Sequence, residues 1–207
     1  LSCIPKNASG KAQLIAKEEG IIAGVEFAEI IFKKLDPKLL FEKYIDNGTK
    51  IFINDIVFKV SGRVHAILQA ERLVLNIMQR MSGIATQTEQ YVKELQGLKT
   101  KVLDTRKTTP GMRLLDKAAV KYGGGENHRM GLYDMILIKD NHIDFAGGIK
   151  NAILNTKKYL EENKKDLKIE VEARSIEDVM QILEIGGIDV ILLDNFSVEE
   201  TKRAVLI

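Results

Sequence analysis

Four short apolar runs alternate with helix-like segments after Gly97, and this alternation constrains the fold more than any other feature. The apolar runs are Lys101–Leu103, Met135–Ile138, Ile169–Val171 and Val190–Leu193. The helix-like segments are Met112–Tyr122, Gly148–Leu160, Ile176–Ile185 and the stretch from Val198 to the end. Short apolar runs of this kind are typical of strands buried on both faces, and strands alternating with helices predict parallel βαβ units. We therefore expect half of an eightfold barrel or a small doubly wound sheet.

The first half of the chain follows a different pattern, which predicts a small α+β unit closed by long helices. A helix is expected over Val25–Lys34, ahead of Pro37, and a longer helical stretch over 66–95 with a break at Ser82-Gly83. The strand-like runs are Ala12–Ala16, Lys50–Phe52, Ile56–Val60 and Val64–Ile67. The last two are joined by Ser61-Gly62, a pair typical of a hairpin turn.

Composition excludes several classes of protein. The chain has 31 Lys+Arg and 29 Asp+Glu, a net charge of +2, which gives no reason to expect nucleic acid or an anionic membrane as partner. Cys3 is the only cysteine and cannot form an internal disulfide, so we expect a reducing, cytoplasmic location. No apolar run reaches the length of a membrane span, and no signal pattern opens the chain. We expect a soluble protein without membrane contact.

Charged residues follow each of the four apolar runs. The segments concerned are Asp104–Lys107, Lys139–His142, Glu170–Glu172 and Asp194–Phe196. In parallel α/β folds the carboxyl ends of the strands carry the ligand site. Three cations from these segments, Arg106, Lys107 and Lys139, would repel one another unless an anion pairs with them. Glu172 and Asp194 supply oxygen ligands suited to Mg²⁺ or to sugar hydroxyls. A phosphorylated sugar fits this combination.

Two further segments point to an anion. In Thr108–Gly111 the proline is expected at the first position of a helix, whose N-terminal amides would favour negative charge. The Gly123–Gly125 run is expected to form a flexible loop that carries His128 and Arg129. It is not one of the glycine-rich fingerprints that bind phosphate. Taken alone, it is more typical of a surface turn with solvated charges.

Six motifs in order resemble the quinolinate phosphoribosyltransferase family, also called nicotinate-nucleotide pyrophosphorylase (carboxylating). They extend over essentially the whole chain. They are Ala70–Asn76 followed by Ser82–Thr86, Asp104–Gly111, Gly123–Arg129, Ile138–His142, Glu170–Glu172 and Leu192–Phe196. Any one of them alone would be weak, but six in the family's order are highly specific.

The resemblance implies a two-domain α/β fold. Residues 1–81 would form a small N-terminal α/β sandwich with a connecting helix. Residues 82–207 would form an incomplete parallel α/β barrel of the type II phosphoribosyltransferase kind. Family members begin earlier and continue past Ile207 with segments that hold the 5′-phosphate, so the barrel is expected to be truncated at its C-terminal end.

The resemblance also implies an activity: quinolinate and phosphoribosyl pyrophosphate react to give nicotinate mononucleotide, carbon dioxide and pyrophosphate, with Mg²⁺. The implied catalytic and substrate-binding residues are Arg72, Thr105, Arg106, Lys107, His128, Arg129 and Lys139. The resemblance further implies that Lys107, Glu172 and Asp194 bind phosphoribosyl pyrophosphate. The two carboxylates would also hold Mg²⁺, directly or through water. A homodimer or larger homo-oligomer is implied, in which Arg72 reaches the partner's site.

Other readings remain open at this point. A paralogue with the same fold and another acceptor, such as the related protein of molybdenum transport operons, would share most of the motifs. A non-catalytic remnant that binds a metabolite is a second alternative. The four cations Arg106, His128, Arg129 and Lys139 favour a dicarboxylate acceptor, because a monocarboxylate would need fewer of them. A structural or nucleic-acid-binding protein has little support, since the basic residues lie at strand ends and not in a surface stripe.

Overall fold

The computed structural model describes residues 1–207, and the chain divides into two units. An antiparallel sheet and long helices build the first unit. The first unit is Leu1–His128 and the second is Arg129–Ile207. The first contains β1 (Ser9–Ile15), β2 (Gly20–Ile21), α1 (Val25–Leu35), β3 (Leu40–Lys43), β4 (Lys50–Ile51), β5 (Ile56–Arg63), α2 (Val64–Glu94) and α3 (Arg113–Tyr122). This division follows spatial proximity, and the domain boundary expected between residues 81 and 82 stays a prediction.

The sheet of the first unit packs one face against helices. Its strand order is β1-β5-β3 with antiparallel pairing, and β2 and β4 form a separate two-stranded ribbon. The core lies between the sheet and helices α1 and α2, where Phe32, Phe58 and Val74 are among the buried side chains. This arrangement agrees with the small α/β sandwich expected from the sequence.

Helix α1 begins and ends where local chemistry requires it. Val25, Ala28 and Phe32 are its buried residues, and this spacing places them on one face. Gly24 precedes it with φ of 95°, a left-handed conformation that glycine tolerates. The helix ends at Leu35, before the residue that precedes Pro37, where helical geometry is disfavoured.

Helix α2 runs unbroken for 31 residues, so the break predicted at Ser82-Gly83 is wrong. Ser82 Oγ accepts a hydrogen bond from the backbone amide of Ala23 at 3.0 Å, so its hydroxyl is occupied by a tertiary partner. Gly83 is exposed, and a Cβ added at this position would have no neighbour within 4 Å, so nothing there interrupts the helix. Buried residues recur along one side of the whole helix and outweigh the low propensity of these two positions.

The hairpin predicted at Ser61-Gly62 is also wrong, because both residues belong to strand β5. Gly62 pairs with Gly10 of β1 and has φ of 138°. A Cβ at Gly62 would lie 2.8 Å from Cδ2 of Leu39, so the glycine makes room for a buried leucine instead of forming a turn. The chain then enters α2 at Val64 without a loop.

The second unit has the alternating α/β organisation expected from its sequence. Its elements are β6 (Ile136–Ile138), α4 (Asp140–Ala146), α5 (Ile149–Glu162), β7 (Ile169–Ala173), α6 (Ile176–Ile185), β8 (Val190–Leu193) and α7 (Val198–Val205). The three strands form a parallel sheet in the order β6-β7-β8. Helix α4 was not predicted, since its seven residues are too few to display a helical period.

The fold is thus α/β, with a small-sheet part and a parallel-sheet part, and the parallel sheet is open. One expected strand is missing from it. Residues Lys101–Leu103 form only an isolated parallel bridge, Leu103 to Glu126, within the first unit. Two backbone hydrogen bonds flank that bridge, from Asp104 N–H to the carbonyl of Glu126 and from Glu126 N–H to the carbonyl of Val102.

One face of the parallel sheet packs against helices. Ile138, Val171 and Ala173 lie in the core with Ile153 of α5 and Ile182 of α6. Because side chains alternate along a strand, the residues between them project from the opposite face. No helix of the structure is both long and apolar enough to cross a membrane.

Candidate functional site

A buried ion pair lies directly beside the cationic segment of the first unit. Lys117 of α3 donates from Nζ to Oδ1 of Asp104, and the two side chains are only 1% and 7% exposed. Taking two charges out of water is costly unless their remaining hydrogen-bonding capacity is satisfied. Asp104 immediately precedes Thr105, so the pair fixes the start of the segment that carries the predicted site residues.

The same pair holds the backbone of His128. Oδ1 of Asp104 accepts from the His128 amide at 2.9 Å, and Lys117 Nζ donates to the His128 carbonyl at 3.1 Å. With its amide oriented to donate, Asn127 reaches Oδ2 of Asp104 at 2.8 Å and the carbonyl of Lys117 at 2.9 Å. The structure therefore brings the backbone of His128 next to Asp104, at the start of the Thr105–Lys107 segment.

Arg106 has a buried polar atom without a hydrogen-bond partner. Its Nε is buried and makes no hydrogen bond, although the side chain is only partly enclosed. Buried polar groups are nearly always paired, and an orphaned guanidinium donor is free to bind an anion. This is the strongest local sign of an anion site in the first unit.

Thr105 and Lys107 form a local turn on either side of Arg106. The Lys107 amide donates to Oγ1 of Thr105 at 3.0 Å, a hydrogen bond that bends the backbone between them. Both residues are exposed. Their predicted contacts with substrate stay predictions, and the Thr105 hydroxyl already serves a structural role as an acceptor.

The far end of this segment is held by a second ion pair. Arg80 of α2 donates to both oxygens of Asp116 of α3, from Nε at 2.7 Å and from Nη2 at 2.8 Å. Nη2 also donates to Oγ1 of Thr109 at 2.8 Å, and the Thr109 amide donates to Asp116 at 3.3 Å. Hydrogen bonding with Asp116 raises the pKa of Arg80. Thr109 is thereby tied to two helices.

Pro110 does not begin a helix, which corrects the sequence prediction. Helix α3 begins at Arg113, with Met112 at its N-cap. Pro110 and Gly111 instead occupy a turn closed by a hydrogen bond from the Met112 amide to the Thr109 carbonyl. Gly111 has φ of 76°, the conformation that the third residue of a type II turn requires.

The Gly123–Gly125 run is packed against α2 and does not project as a flexible loop. A Cβ on Gly123 would lie 2.4 Å from the carbonyl oxygen of Ala85 and 2.7 Å from Cβ of Thr88. Gly125 is equally crowded, with Cγ1 of Val120 at 2.8 Å. The glycines permit close approach of two backbones, and this approach fixes the segment that leads to His128.

Arg72 stands apart from the other predicted residues of the first unit. It is an exposed residue in the first third of α2. At 1.5 Å per residue, it lies about 12 Å along the helix from Arg80, the α2 residue that contacts the Thr109 segment. The structure of the single chain therefore does not bring Arg72 to the Asp104–Thr109 segment through the contacts that α2 makes there.

The second unit places three predicted residues on one face of its sheet. Ile138 pairs with Val171, so Lys139 and Glu172 are the next residues on neighbouring strands. Glu172 pairs with Leu192, and Asp194 lies two residues further along the same strand direction. By alternation, Lys139, Glu172 and Asp194 project from the face opposite the helices. A cation and two carboxylates therefore share the carboxyl edge, as the sequence predicted.

Glu172 is the most enclosed of these three side chains. It is 9% exposed, and its Oε2 accepts a hydrogen bond from the Asp140 amide at 3.0 Å. Asp194 is half-buried and accepts from the side-chain amide of Asn195 at 3.0 Å. The Asp140 contact ties the end of β6 to β7, so Glu172 also orients the backbone that carries Lys139.

Arg129 opens the second unit and is followed by a loop organised by Asp134. The carboxylate of Asp134 accepts from the amides of Met130 at 2.6 Å and Gly131 at 2.9 Å. Partial burial opposes ionisation of Asp134, but these amides and the nearby charge of Arg129 prevail and lower its pKa. The loop is thus held by a carboxylate that stays ionised at neutral pH.

The carboxylates of the second unit fit Mg²⁺ only as part of a larger ligand set. No group of three or more Asp, Glu, His or Cys side chains lies close enough to hold a metal ion. Mg²⁺ is commonly bound through one or two carboxylates together with waters and substrate phosphates. Glu172 and Asp194 on one sheet face match that pattern and do not form a closed cage.

Several residues of the site were missed by sequence reasoning. Lys117, Asp116 and Arg80 received no role, although they hold both ends of the cationic segment. Adjacent buried Asp and Lys in a ten-residue helix look like ordinary solvated charges in sequence. The available signal was the acidic residue Asp104 directly before the cations, since a buried carboxylate requires a partner.

Known families match both parts of the chain. The family model for the N-terminal domain of quinolinate phosphoribosyl transferase matches residues 1–82, and that for its C-terminal domain matches residues 84–207. The chain is 47% identical over 200 residues to "Quinolinate phosphoribosyltransferase [decarboxylating] 2, mitochondrial" of Nicotiana glauca. That alignment covers 94% of this chain and 56% of the Nicotiana protein.

A second relative and two solved structures agree with these matches. "Nicotinate-nucleotide pyrophosphorylase [carboxylating], chloroplastic" of Arabidopsis thaliana is 45% identical over 96% of this chain and 58% of its own length. NadC from Streptococcus pyogenes superimposes with a TM-score of 0.92 at 36% identity, over 99% of this chain and 71% of that one. The nicotinate-nucleotide pyrophosphorylase from Francisella tularensis gives 0.90 at 40% identity, over 98% and 70%. The chain spans little more than half the length of the curated relatives that it matches. The two family models together match nearly every residue, and they name the same family as the resemblance of the sequence motifs. This chain therefore belongs to the quinolinate phosphoribosyltransferase family.

Proposed function

We propose that the protein transfers the phosphoribosyl group of phosphoribosyl pyrophosphate to quinolinate with decarboxylation, giving nicotinate mononucleotide, carbon dioxide and pyrophosphate. The observation that carries the proposal is the buried, unpartnered Nε of Arg106 in a segment whose backbone is held at both ends. Membership of the family supports quinolinate as the acceptor, and the local chemistry of Arg106 agrees with a carboxylate ligand.

The cations of the site bind the acceptor. Arg106, His128, Arg129 and Lys139 pair with the two carboxylates of quinolinate and hold the ring in one orientation. Orientation of this kind lowers the barrier, because the reacting atoms no longer have to find each other. A dicarboxylate matches this number of cations better than the monocarboxylate of a paralogue would.

Bond changes follow from the chemistry of the two substrates. The ring nitrogen forms a bond to C1 of the ribose, and the bond from that carbon to pyrophosphate breaks. The bond between the ring and one carboxylate also breaks, so carbon dioxide leaves and the remaining electron pair takes up a proton. Fixed cations stabilise the negative charge that develops on the ring carbon. No covalent intermediate with the protein is required.

The carboxylates of the second unit bind the sugar. Glu172 and Asp194 accept hydrogen bonds from the ribose hydroxyls and stabilise positive charge on the sugar, and Lys107 pairs with phosphate oxygens. Mg²⁺, held by the same carboxylates directly or through water, would neutralise charge on the departing pyrophosphate. The pairing of Glu172 with the Asp140 amide supports this role, because it fixes the carboxylate before the substrate binds.

The active assembly is proposed to be a homodimer or a larger homo-oligomer, in which Arg72 serves the partner's site. Its exposure on α2, away from the Asp104–Thr109 segment of its own unit, supports this arrangement. A cytoplasmic location is proposed from the single unpaired and exposed Cys3, which suits a reducing compartment. Cell fractionation with a tagged protein tests the location, since the names of the plant relatives specify organelles.

The test of the function is an assay of the purified protein with quinolinate, phosphoribosyl pyrophosphate and Mg²⁺. Nicotinate mononucleotide is measured by chromatography, and carbon dioxide is measured by release of label from the carboxylate. Equal amounts of both products are expected, with no product from nicotinate. The Lys121→Ala variant, changed at an exposed residue of α3, is the control for a nonspecific loss of charge. Calorimetry that detects quinolinate binding without turnover would contradict the catalytic proposal.

A further inference from the structure

Helix α3 places two neighbouring charged side chains in the interior of the first unit. Asp116 and Lys117 are 7% and 1% exposed, and Ala119 is the third buried residue of this helix. Charged residues are almost never fully buried unless each is paired. Here each has its own partner from a different part of the chain, Arg80 for Asp116 and Asp104 for Lys117.

The two pairs anchor opposite ends of the same short segment. Lys117 holds Asp104, and Asp116 together with Arg80 holds Thr109. The four residues between these anchors include Arg106 and Lys107. The backbone that carries these two cations is thus fixed at both ends by adjacent residues of one helix.

Lys117 also anchors a second cation-bearing element. Its Nζ donates to the carbonyl of His128, and Asp104 accepts from the amide of the same residue. The side chains of Asp104 and Lys117 hydrogen-bond to each other and to residues 127–128. The pair therefore joins the Arg106 segment to His128.

Stability alone is a poor explanation for such a pair. Replacing a buried ion pair by well-packed apolar residues is often neutral or stabilising, because the desolvation penalty disappears. A pair that is retained in the interior and directed at two cation-bearing backbones suits a positioning role better.

We infer that Lys117 and Asp116 of α3, with their partners Asp104 and Arg80, are positioning residues that set the spacing of Arg106, Lys107 and His128 for an anionic substrate. None of these four side chains touches the substrate. The inference rests on the proposed function for the identity of that substrate, quinolinate. The arrangement of the backbone itself is independent of the substrate.

Two variants separate positioning from folding. The double variant Asp104→Asn/Lys117→Met leaves no uncompensated buried charge, and its asparagine oxygen can still accept from the His128 amide. Arg80→Met/Asp116→Asn removes the ion pair of the other anchor and likewise leaves no uncompensated buried charge. Lys121→Met, at an exposed position one turn beyond Lys117, is the matched control.

The melting temperature of each variant is measured first. Its dissociation constant, kcat and KM for quinolinate are then determined. Hydrogen exchange is followed in the segments 104–109 and 126–129. We expect each anchor variant to keep the melting temperature of the control. We expect a fall in kcat/KM for quinolinate of about 100-fold, the effect of misplacing a binding group by ~1 Å. We expect faster exchange in the segment that each variant releases.

The outcomes decide between the possibilities. A folded anchor variant with kcat/KM within about twofold of the control and unchanged exchange overturns the inference. Faster exchange in a protein whose wild type does not convert quinolinate supports the positioning role and refutes the proposed function instead. If Asp104→Asn/Lys117→Met does not fold, Arg80→Met/Asp116→Asn carries the same test, and unchanged exchange and quinolinate binding in that variant would overturn the inference.

Discussion

The proposed anion site depends most on the guanidinium of Arg106. Its buried Nε lacks a partner, whereas Asp104, Lys117 and Asp116, which support its segment, each have a partner of opposite charge. A site that satisfies its supporting charges and leaves one donor unsatisfied is prepared for an anion before that anion arrives. The planar fork of arginine also matches a carboxylate in a way that a lysine ammonium does not.

Arg106→Ala is expected to abolish most of the activity with the fold intact. The loss of transition-state stabilisation should be at least about 2 kcal/mol, because the carboxylate would be left without a bidentate partner. Arg106→Lys should recover only part of it, since it restores the charge and not the fork. Steady-state kinetics with quinolinate check this prediction, and circular dichroism checks the fold. Wild-type kinetics in the alanine variant would remove Arg106 from the site.

Asp194→Asn is expected to weaken the dependence on phosphoribosyl pyrophosphate and Mg²⁺ more than the dependence on quinolinate. The amide keeps its shape and loses the charge that a divalent cation requires, so the Mg²⁺ concentration for half-maximal rate should rise roughly tenfold. Titration of the chelator-treated enzyme with Mg²⁺ measures this shift. Asp189→Asn, a carboxylate that instead accepts from the Ile169 amide at the other end of β7, serves as the comparison. An unchanged Mg²⁺ profile in Asp194→Asn would show that this carboxylate contacts neither metal nor ribose.

At the scale of elements, α2 and α3 act as supports for the loops that carry the cations. Arg80 of α2 and Asp116 of α3 hold Thr109, and the close approach of Gly123 to Ala85 of α2 fixes the entry to the His128 segment. Loops held by helices in this way keep binding groups in place more precisely than free loops would.

Gly123→Ala is expected to destabilise the first unit by about 1–3 kcal/mol, because its methyl group would collide with the Ala85 carbonyl 2.4 Å away. Gly83→Ala is the matched substitution within α2, since it has open space around it. That change should stabilise the protein by about 0.5–1 kcal/mol through helix propensity. Urea unfolding of both variants measures the difference. Equal midpoints for the two would contradict the close packing of the glycine segment.

At the scale of the whole molecule, the predicted site residues belong to both units. Arg72, Thr105, Arg106, Lys107 and His128 lie in the first unit, and Arg129, Lys139, Glu172 and Asp194 lie in the second. The boundary falls between His128 and Arg129, within a motif that the family resemblance treats as one. We propose that Arg72 acts in the site of a second chain, and a mixing experiment tests this proposal.

Mixing Arg72→Ala with Arg106→Ala chains, each inactive alone, is expected to restore activity. In a symmetric dimer with a shared site, half of randomly formed dimers are mixed and one of their two sites is intact, which gives about a quarter of the wild-type rate. A chain with both substitutions, mixed with Arg106→Ala, should restore nothing. Native mass spectrometry verifies that mixed dimers form. Verified mixed dimers without activity would place Arg72 in its own chain's site or outside any site.

The sequence by itself determined the class of fold, since local patterns carry that information, and it nominated candidate site residues at the strand ends. Apolar runs of strand length predicted β6, β7 and β8, and helical periodicity predicted α1, α3, α5 and α6. The charges after the runs at 138, 171 and 193 identified Lys139, Glu172 and Asp194 because parallel strands expose their carboxyl ends together.

Only the tertiary structure decided which contacts a residue makes when its partners are distant in the chain. The sequence predicts a turn at Gly62, but this glycine makes room for Leu39. It predicts a helix break at Ser82, whose hydroxyl instead accepts from the Ala23 amide. It predicts a flexible loop at Gly123, which instead packs against Ala85. Lys117 is buried because Asp104, 13 residues away, accepts its hydrogen bond and pairs with its charge, and no local pattern distinguishes it from a solvated lysine. The burial of a charge is set by the partners that folding brings to it, so the supports of the site became visible only once the chain was folded.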